Sequence, residues 1–83
     1  MDRYELIYKI LKSIEQGKEP HWNDFGIDKE EFGLVAEHIK DNNLATNVTV
    51  SRGGLGNKVQ IVFLNHSKLT SGGYDFIRKY EDS

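Results

Sequence analysis

The chain has 83 residues and no cysteine, with 37% hydrophobic and 29% charged residues. This composition is typical of one small folded domain, and it excludes disulfide bonds and thiolate metal sites. The formal net charge is −2, whereas most dedicated nucleic-acid-binding domains are basic overall.

The first predicted element is an amphipathic helix from Arg3 to Gln16, with Gly17 in the position of a left-handed C-cap. Charged residues Glu5, Lys9 and Lys12 interrupt its apolar stripe, so no segment is long and apolar enough to span a bilayer. We therefore expect a soluble, cytoplasmic protein without membrane contact. The predicted core-facing residues of this helix are Tyr4, Leu6, Ile7, Ile10, Leu11 and Ile14.

A pair of helices joined by a tight turn is predicted next. Pro20 prevents direct continuation of the first helix, and Trp22–Phe25 is long enough only for a short helix. Gly26 marks the turn, which is of the kind that joins two helices at a steep angle. Asp28 suits the N-cap of the following helix, and Glu31 is placed to complete a capping box. The core-facing residues of that helix are Phe32, Val35, Ala36 and Ile39.

A β-hairpin and a last helix complete the predicted order. Period-2 alternation indicates strands over Leu44–Ser51 and Val59–Leu64, with a flexible tip at Gly53–Asn57. Thr70 is the expected N-cap of a last helix that buries Phe76, Ile77 and Tyr80. On the second strand, one face should carry Val59, Ile61 and Phe63, and the other Gln60, Val62 and Leu64. The predicted fold class is α+β, a winged helix-turn-helix domain spanning residues 1–83. It consists of helices 1–3, a two-stranded antiparallel wing and a C-terminal helix.

Three stretches of the chain resemble a known family. They are Tyr8–Ile14 with Gly17 and Pro20, Asn23–Ile27 with Phe32, and Leu69–Ile77. Together they are similar to the YjcQ-like family of small winged-helix proteins, many of which are phage- or prophage-associated. The resemblance covers nearly the whole chain and implies the winged-helix fold. It implies no catalytic residues.

The predicted hairpin region is unusual in its charge. Residues 44–70 contain three cations and no Asp or Glu. Arg52 and Lys58 flank the glycine-rich tip, where they could reach the phosphates of double-stranded DNA. The alternative is that charges and glycines only keep an exposed hairpin soluble and unpaired. The first hypothesis is a nucleic-acid-binding regulator whose contacts are Arg52, Lys58, Lys68, Lys29 and Lys40.

The neighbouring helix argues against this hypothesis, because its outward positions are mostly acidic. Those positions are Glu30, Gly33, Leu34, Glu37 and Asp41. The alternative function is therefore a protein-interaction module, such as a phage adaptor or inhibitor, that binds a protein partner through Glu30, Leu34, Glu37 and Asp41. Because the two hypotheses use different residues, reversing the charges of Arg52 and Lys58 should affect only the first. The sequence leaves a monomer and a homodimer equally open, and Leu34 is a candidate dimer contact.

No pattern in the chain indicates catalysis. The histidines His21, His38 and His66 lie in separate elements without metal-ligand spacing. The Gly53–Gly56 run has no following Lys-Ser at the start of a helix, so it does not match a nucleotide-binding loop. The aromatic residues could form a base-stacking surface, but most occupy core-facing positions. We predict a non-enzymatic protein without metal or cofactor.

Overall fold

The computed structural model describes residues 2–83 and has an α+β fold with one two-stranded antiparallel sheet. Met1, the first residue of the predicted domain, lies outside the described residues. In chain order the elements are α1 (Arg3–Glu15), a 3-10 helix (Trp22–Phe25), α2 (Lys29–Asp41), β1 (Thr49–Gly53), β2 (Lys58–Phe63) and α3 (Ser71–Asp82). The predicted α+β class and antiparallel hairpin are confirmed. Within residues 2–83, no helix has the length and apolar character required to cross a bilayer.

Helix α1 provides one wall of the core. Asp2 caps it, because the Asp2 Oδ1 accepts a hydrogen bond from the Glu5 N–H at 2.8 Å. Tyr4 was predicted to face the core, but its side chain is 67% exposed and stacks beside Phe76 at the rim. The buried residues of α1 are Leu6, Ile7, Ile10, Leu11 and Ile14. Full burial of each such side chain stabilises the fold by about 1.5–3 kcal/mol.

Helix α2 is covered on two sides. Its predicted core face is confirmed, and Asp28 caps its first turn by accepting a hydrogen bond from the Glu31 N–H at 2.8 Å. Gly33 was predicted to point outward, but it is buried against the hairpin. A Cβ atom at Gly33 would lie 2.5 Å from the Val59 Cγ2. The absence of a side chain at Gly33 therefore allows β2 to pack closely against α2.

The first strand begins later than predicted. Residues Leu44 and Ala45 are both buried, so the expected alternation does not extend through this segment. Asn47 has a left-handed backbone with φ 56°, which breaks an extended strand. Only Ala45 makes an isolated antiparallel bridge, with Leu69. The strand therefore starts at Thr49, and the irregular 44–48 segment packs against the 66–70 segment that precedes α3.

A β-bulge changes which residues of β2 face solvent. Ser51 pairs with Ile61 and the next residue, Arg52, pairs with Val59, so Gln60 is the extra residue. Val59 is consequently buried, whereas Ile61 and Phe63 are 44% and 52% exposed. The prediction that these three residues share one face was wrong, because the extra residue reverses the alternation.

The start of α3 packs against the segment that follows α2. Thr70 Oγ1 accepts a hydrogen bond from the Gly73 N–H at 3.1 Å and donates one to the Asn43 carbonyl at 2.5 Å. The Thr70 N–H donates to the Leu44 carbonyl at 3.1 Å. A Cβ atom at Gly73 would lie far inside van der Waals contact with that same carbonyl oxygen. Gly73 is therefore required by close packing.

Replacing Gly73 with alanine is expected to destabilise the protein by about 1–3 kcal/mol, because the added methyl group must displace α3 from the Leu44 backbone. Gly72 provides a matched control in the same turn, since its nearest contact from an added Cβ is an ordinary 3.5 Å. Gly72→Ala should be neutral or stabilise by up to about 1 kcal/mol through helix propensity. Urea unfolding of both variants tests this, and equal stabilities would contradict it.

Candidate functional site

The structure joins β1 to α2 through the side chain of Arg52. Its Nε and Nη2 donate to the two carboxylate oxygens of Glu37 at 2.9 and 2.7 Å. Its Nη1 donates to Glu30 Oε1 and to the Asn57 carbonyl, both at 3.0 Å. We call Arg52, Glu30 and Glu37 the Arg52 cluster. All three nitrogens of the guanidinium are thereby occupied, and the side chain is only 20% exposed.

The side-chain repeats of a β-strand and of an α-helix explain why Arg52, Glu30 and Glu37 meet. Arg52 lies two residues after Val50 in β1, so both side chains point to the same face of the hairpin. Glu30 and Glu37 are seven residues apart in α2 and flank Gly33, so they lie on the helix face that the hairpin covers. If the predicted alternation of the first strand continued beyond Ser51, Arg52 would lie on the same face as Val50, which is the face that α2 covers. The strand predicted from the sequence ends at Ser51, however, so the sequence predicts Arg52 at the exposed tip.

Glu30 also forms a hydrogen bond with the backbone of β2. Its Oε2 accepts a hydrogen bond from the Val59 N–H at 2.9 Å, and Lys29 Nζ donates to the Gln60 carbonyl at 3.3 Å. These two neighbouring side chains satisfy backbone groups beside the bulge, where the sheet ladder is interrupted. Lys29 and Glu30 in the first turn of α2 thus bind the backbone of Val59 and Gln60 in β2.

The Arg52 cluster perturbs the titration of its members. The pKa of Glu37 is lowered, chiefly by its hydrogen bond from Arg52. The pKa of Glu30 is lowered by the Val59 N–H and then by Arg52, and the pKa of Arg52 is raised by Glu37 and then by Glu30. The nearby charges of Lys58 and Lys40 lower the pKa of Glu30 and the pKa of Glu37, respectively. Both carboxylates therefore remain ionised at neutral pH.

The five predicted nucleic-acid-binding residues fall into three groups. Arg52 is inside the cluster, and Lys29, Lys40 and Lys58 are exposed around it. Lys68 lies apart, in the loop between β2 and α3, where its carbonyl accepts a hydrogen bond from the Thr46 N–H at 2.8 Å. Within residues 2–83, none of the four lysines has a carboxylate within ion-pair distance.

The four residues predicted for protein interaction are also divided. Glu30 and Glu37 belong to the Arg52 cluster, whereas Leu34 and Asp41 are exposed on another stripe of α2. The residues predicted to bind nucleic acid and those predicted to bind a protein are therefore hydrogen-bonded to each other through Arg52. A substitution of Arg52 releases two carboxylates as it removes a cation, so its effects cannot be assigned to one hypothesis.

The aromatic residues pack in pairs. Phe25 stacks on the buried Phe32 with ring centroids 6.2 Å apart, and Tyr8 stacks on Tyr80 at 4.3 Å. Tyr8 also donates to Glu81 at 2.7 Å, and this hydrogen bond raises the Tyr8 pKa. Phe25 is half-buried while Trp22 is exposed, so Phe25 is the residue that attaches the 3-10 helix to the core. In the part of the chain that the structure describes, no three His, Asp or Glu side chains are grouped to hold a metal ion.

Comparisons of this chain with protein-family models, with curated proteins and with solved structures found no match. The resemblance to the YjcQ-like family therefore stays a prediction from the sequence motifs. Function must be inferred from the residues of the Arg52 cluster and the surrounding lysines.

The Arg52 cluster should make stability depend on pH in the acidic range. Because the folded-state pKa values of Glu30 and Glu37 are lowered, the unfolded chain binds protons first as the pH falls. The stabilisation is complete above the ordinary carboxyl pKa of about 4.3 and is lost as the pH falls through the lowered values. A Glu30→Gln/Glu37→Gln variant should therefore lose less unfolding free energy than the natural chain between about pH 6 and about pH 3.

Urea unfolding at several pH values measures this difference. Asp41→Asn is the matched control, because Asp41 is an exposed α2 carboxylate that makes no ion pair within residues 2–83. Parallel pH profiles for the natural chain and the double variant would show that the cluster does not contribute.

Proposed function

We propose that this protein is a winged-helix-type module that binds the phosphate backbone of double-stranded nucleic acid through Lys29, Lys40 and Lys58. In this arrangement α2 is the helix beside the duplex, and the β1–β2 hairpin is the wing. The order of elements, the antiparallel hairpin and the packing of the hairpin on α2 support the winged-helix assignment. A role as a nucleic-acid-binding regulator, with the phage association that the YjcQ-like resemblance implies, belongs to the same proposal.

The observation that carries the proposal is the pairing of Arg52 with the acidic residues of α2. Unpaired, Glu30 and Glu37 would repel phosphates beside the wing. Arg52 neutralises one of their two negative charges and fixes both carboxylates in place. The cluster and the three lysines around it, Lys29, Lys40 and Lys58, together carry a net charge of +2. The other carboxylates in and beside α2, those of Asp28, Glu31 and Asp41, carry −3. The proposed role of Arg52 is therefore to reduce repulsion and to hold the wing against α2, whereas the lysines contact phosphate.

The number of free cations predicts weak binding that depends strongly on salt. Each phosphate contact contributes about −0.9 to the slope of log affinity against log salt concentration. Three lysines give too few contacts for tight binding by one copy, and Asp41 and Glu31 remain exposed on α2. We therefore expect low-affinity binding without marked sequence preference from the isolated chain.

The test is fluorescence anisotropy of a mixed-sequence DNA duplex across a salt series. Lys29→Gln/Lys58→Gln should weaken binding and reduce the magnitude of the salt slope by about 0.9 for each phosphate that the variant no longer neutralises. The matched control is Arg3→Gln/Lys79→Gln, which removes the same charge from α1 and α3 and should bind like the natural chain; neither residue makes an ion pair within residues 2–83. Absence of binding by the natural chain at low salt would refute the proposal, as would equal weakening in both variants.

A second candidate function, binding of a protein partner, is favoured by the exposed stripe of α2. Leu34 is 42% exposed on this stripe, and Asp41 follows it by two helical turns. An apolar residue beside a carboxylate suits a partner surface with apolar and basic groups. The same stripe faces the duplex if α2 lies against nucleic acid. In nucleic-acid binding the Asp41 carboxylate therefore repels phosphate, whereas in protein binding it contacts the partner.

Asp41→Asn separates these candidates. If α2 lies against DNA, removing the Asp41 carboxylate should strengthen duplex binding by a few-fold through reduced repulsion. Asp75→Asn in α3, where Asp75 pairs with Arg78, is the control and should not change binding. If the α2 stripe instead serves a protein partner, both variants should bind duplex like the natural chain in the anisotropy assay.

A further inference from the structure

A second basic surface lies at the other end of β2 from Lys58. The chain just after α1 and the loop between β2 and α3 form the two sides of an open cleft of about 270 Å³. Its floor is Leu64, a buried core residue. The residues that line it are Gly17, Lys18, Glu19, Leu64, Asn65, His66, Ser67 and Lys68.

The backbone on both sides of this cleft is held by hydrogen bonds. On one side, Gly17 is left-handed with φ 78°, and the Lys18 N–H donates to the Ser13 carbonyl at 3.0 Å. On the other side, Asn47 Nδ2 donates to the His66 carbonyl at 3.1 Å, and Ser67 Oγ donates to the Asn47 carbonyl at 3.2 Å. The cleft is therefore preformed, and only the long lysine side chains need to adjust to a ligand.

The charge of the cleft indicates the kind of ligand. Lys18 and Lys68 are exposed, and within residues 2–83 neither has a carboxylate within ion-pair distance. Glu19 contributes one negative charge to the same lining, so its lysine and glutamate side chains together carry a net charge of +1. That balance matches the single negative charge of a phosphodiester better than the roughly double charge of a phosphate monoester. The side-chain amide of Asn65 adds a hydrogen-bond donor.

We propose that this cleft binds one backbone phosphate of the same nucleic acid, with Lys18 and Lys68 as its contact residues; this inference rests on the proposed function. Lys58 is the first residue of β2 and the cleft begins just after its last residue. At about 3.3 Å per residue, the two sites are roughly 20 Å apart, which corresponds to about six base pairs of duplex. This separation is shorter than a duplex of about 20 base pairs, and occupation of the cleft adds a phosphate contact to those beside α2.

The experiment uses the same anisotropy assay with a mixed-sequence duplex of about 20 base pairs, long enough to cover both sites. Lys18→Gln/Lys68→Gln should reduce the magnitude of the salt slope by about 0.9 and weaken binding about tenfold at low salt. Arg3→Gln/Lys79→Gln is the control for removal of two exposed cations, since Arg3 lies in α1, Lys79 lies in α3, and neither makes an ion pair within residues 2–83. In NMR spectra, adding duplex should shift the amide signals of Gly17, Asn65 and His66 in the natural chain.

The outcomes distinguish the cleft from the proposed function. If the natural chain binds duplex and Lys29→Gln/Lys58→Gln weakens it, while Lys18→Gln/Lys68→Gln behaves like Arg3→Gln/Lys79→Gln, the cleft is not a phosphate site and the function stands. If the natural chain binds no duplex, both proposals fail together. Weaker binding by Lys18→Gln/Lys68→Gln than by Arg3→Gln/Lys79→Gln, with shifts of the cleft amides, supports the inference.

Discussion

The side chain of Arg52 determines how the hairpin sits on the helical body. A two-stranded hairpin is marginally stable alone and needs a surface to pack on. Here Gly33 allows Val59 to approach α2, and Arg52 forms a two-pronged ion pair with Glu37 beside that contact. An exposed single ion pair contributes little to stability, but a bidentate arginine in a network of fixed partners restricts geometry more strongly. The hairpin and α2 are therefore joined both by close apolar packing and by a bidentate ion pair.

The ion pairs of Arg52 with Glu30 and Glu37 also change how the charge distribution along the chain must be interpreted. Counted along the chain, the hairpin region is basic and α2 is acidic, which suggests two opposed surfaces. In three dimensions, the central arginine of the hairpin is paired with the two acidic residues of α2 that face it. Around this contact, the accessible charges are the lysines beside the cluster and the exposed carboxylates of Glu31 and Asp41 in α2. The cluster itself keeps a net charge of −1, and this residual charge adds to the field that a partner meets.

Much of the fold could be predicted because local rules and tertiary packing agree. The Asp28 and Thr70 caps, the core face of α2 and the left-handed Gly17 follow from side-chain chemistry and spacing alone. The core faces of α1 and α3 were predicted less well, because Tyr4 is exposed and Phe76 and Tyr80 are only half-buried. The late start of β1 and the bulge at Gln60 could not be predicted in this way, since both depend on contacts with distant residues. Asn47 is held by the 66–67 loop, and Gln60 and Val59 are held by Lys29 and Glu30. The bulge exposes Ile61 and Phe63, which an unbroken alternation would have grouped with the buried Val59.

The residues of the candidate site were likewise only partly predictable from the sequence. Their chemical types were visible in the sequence, but the role of Arg52 depends on whether its partner is a phosphate or a carboxylate of α2. That choice is made by the register of one short strand: a shift of one residue would move Arg52 to the outer face of the hairpin. With Arg52 turned inward, the lysines are the available cations, and they lie in two groups near opposite ends of β2. With the cleft included, one duplex engages both groups at once. Each group alone has few contacts, and because both lie on one folded chain, binding at one group raises the effective concentration of the duplex at the other.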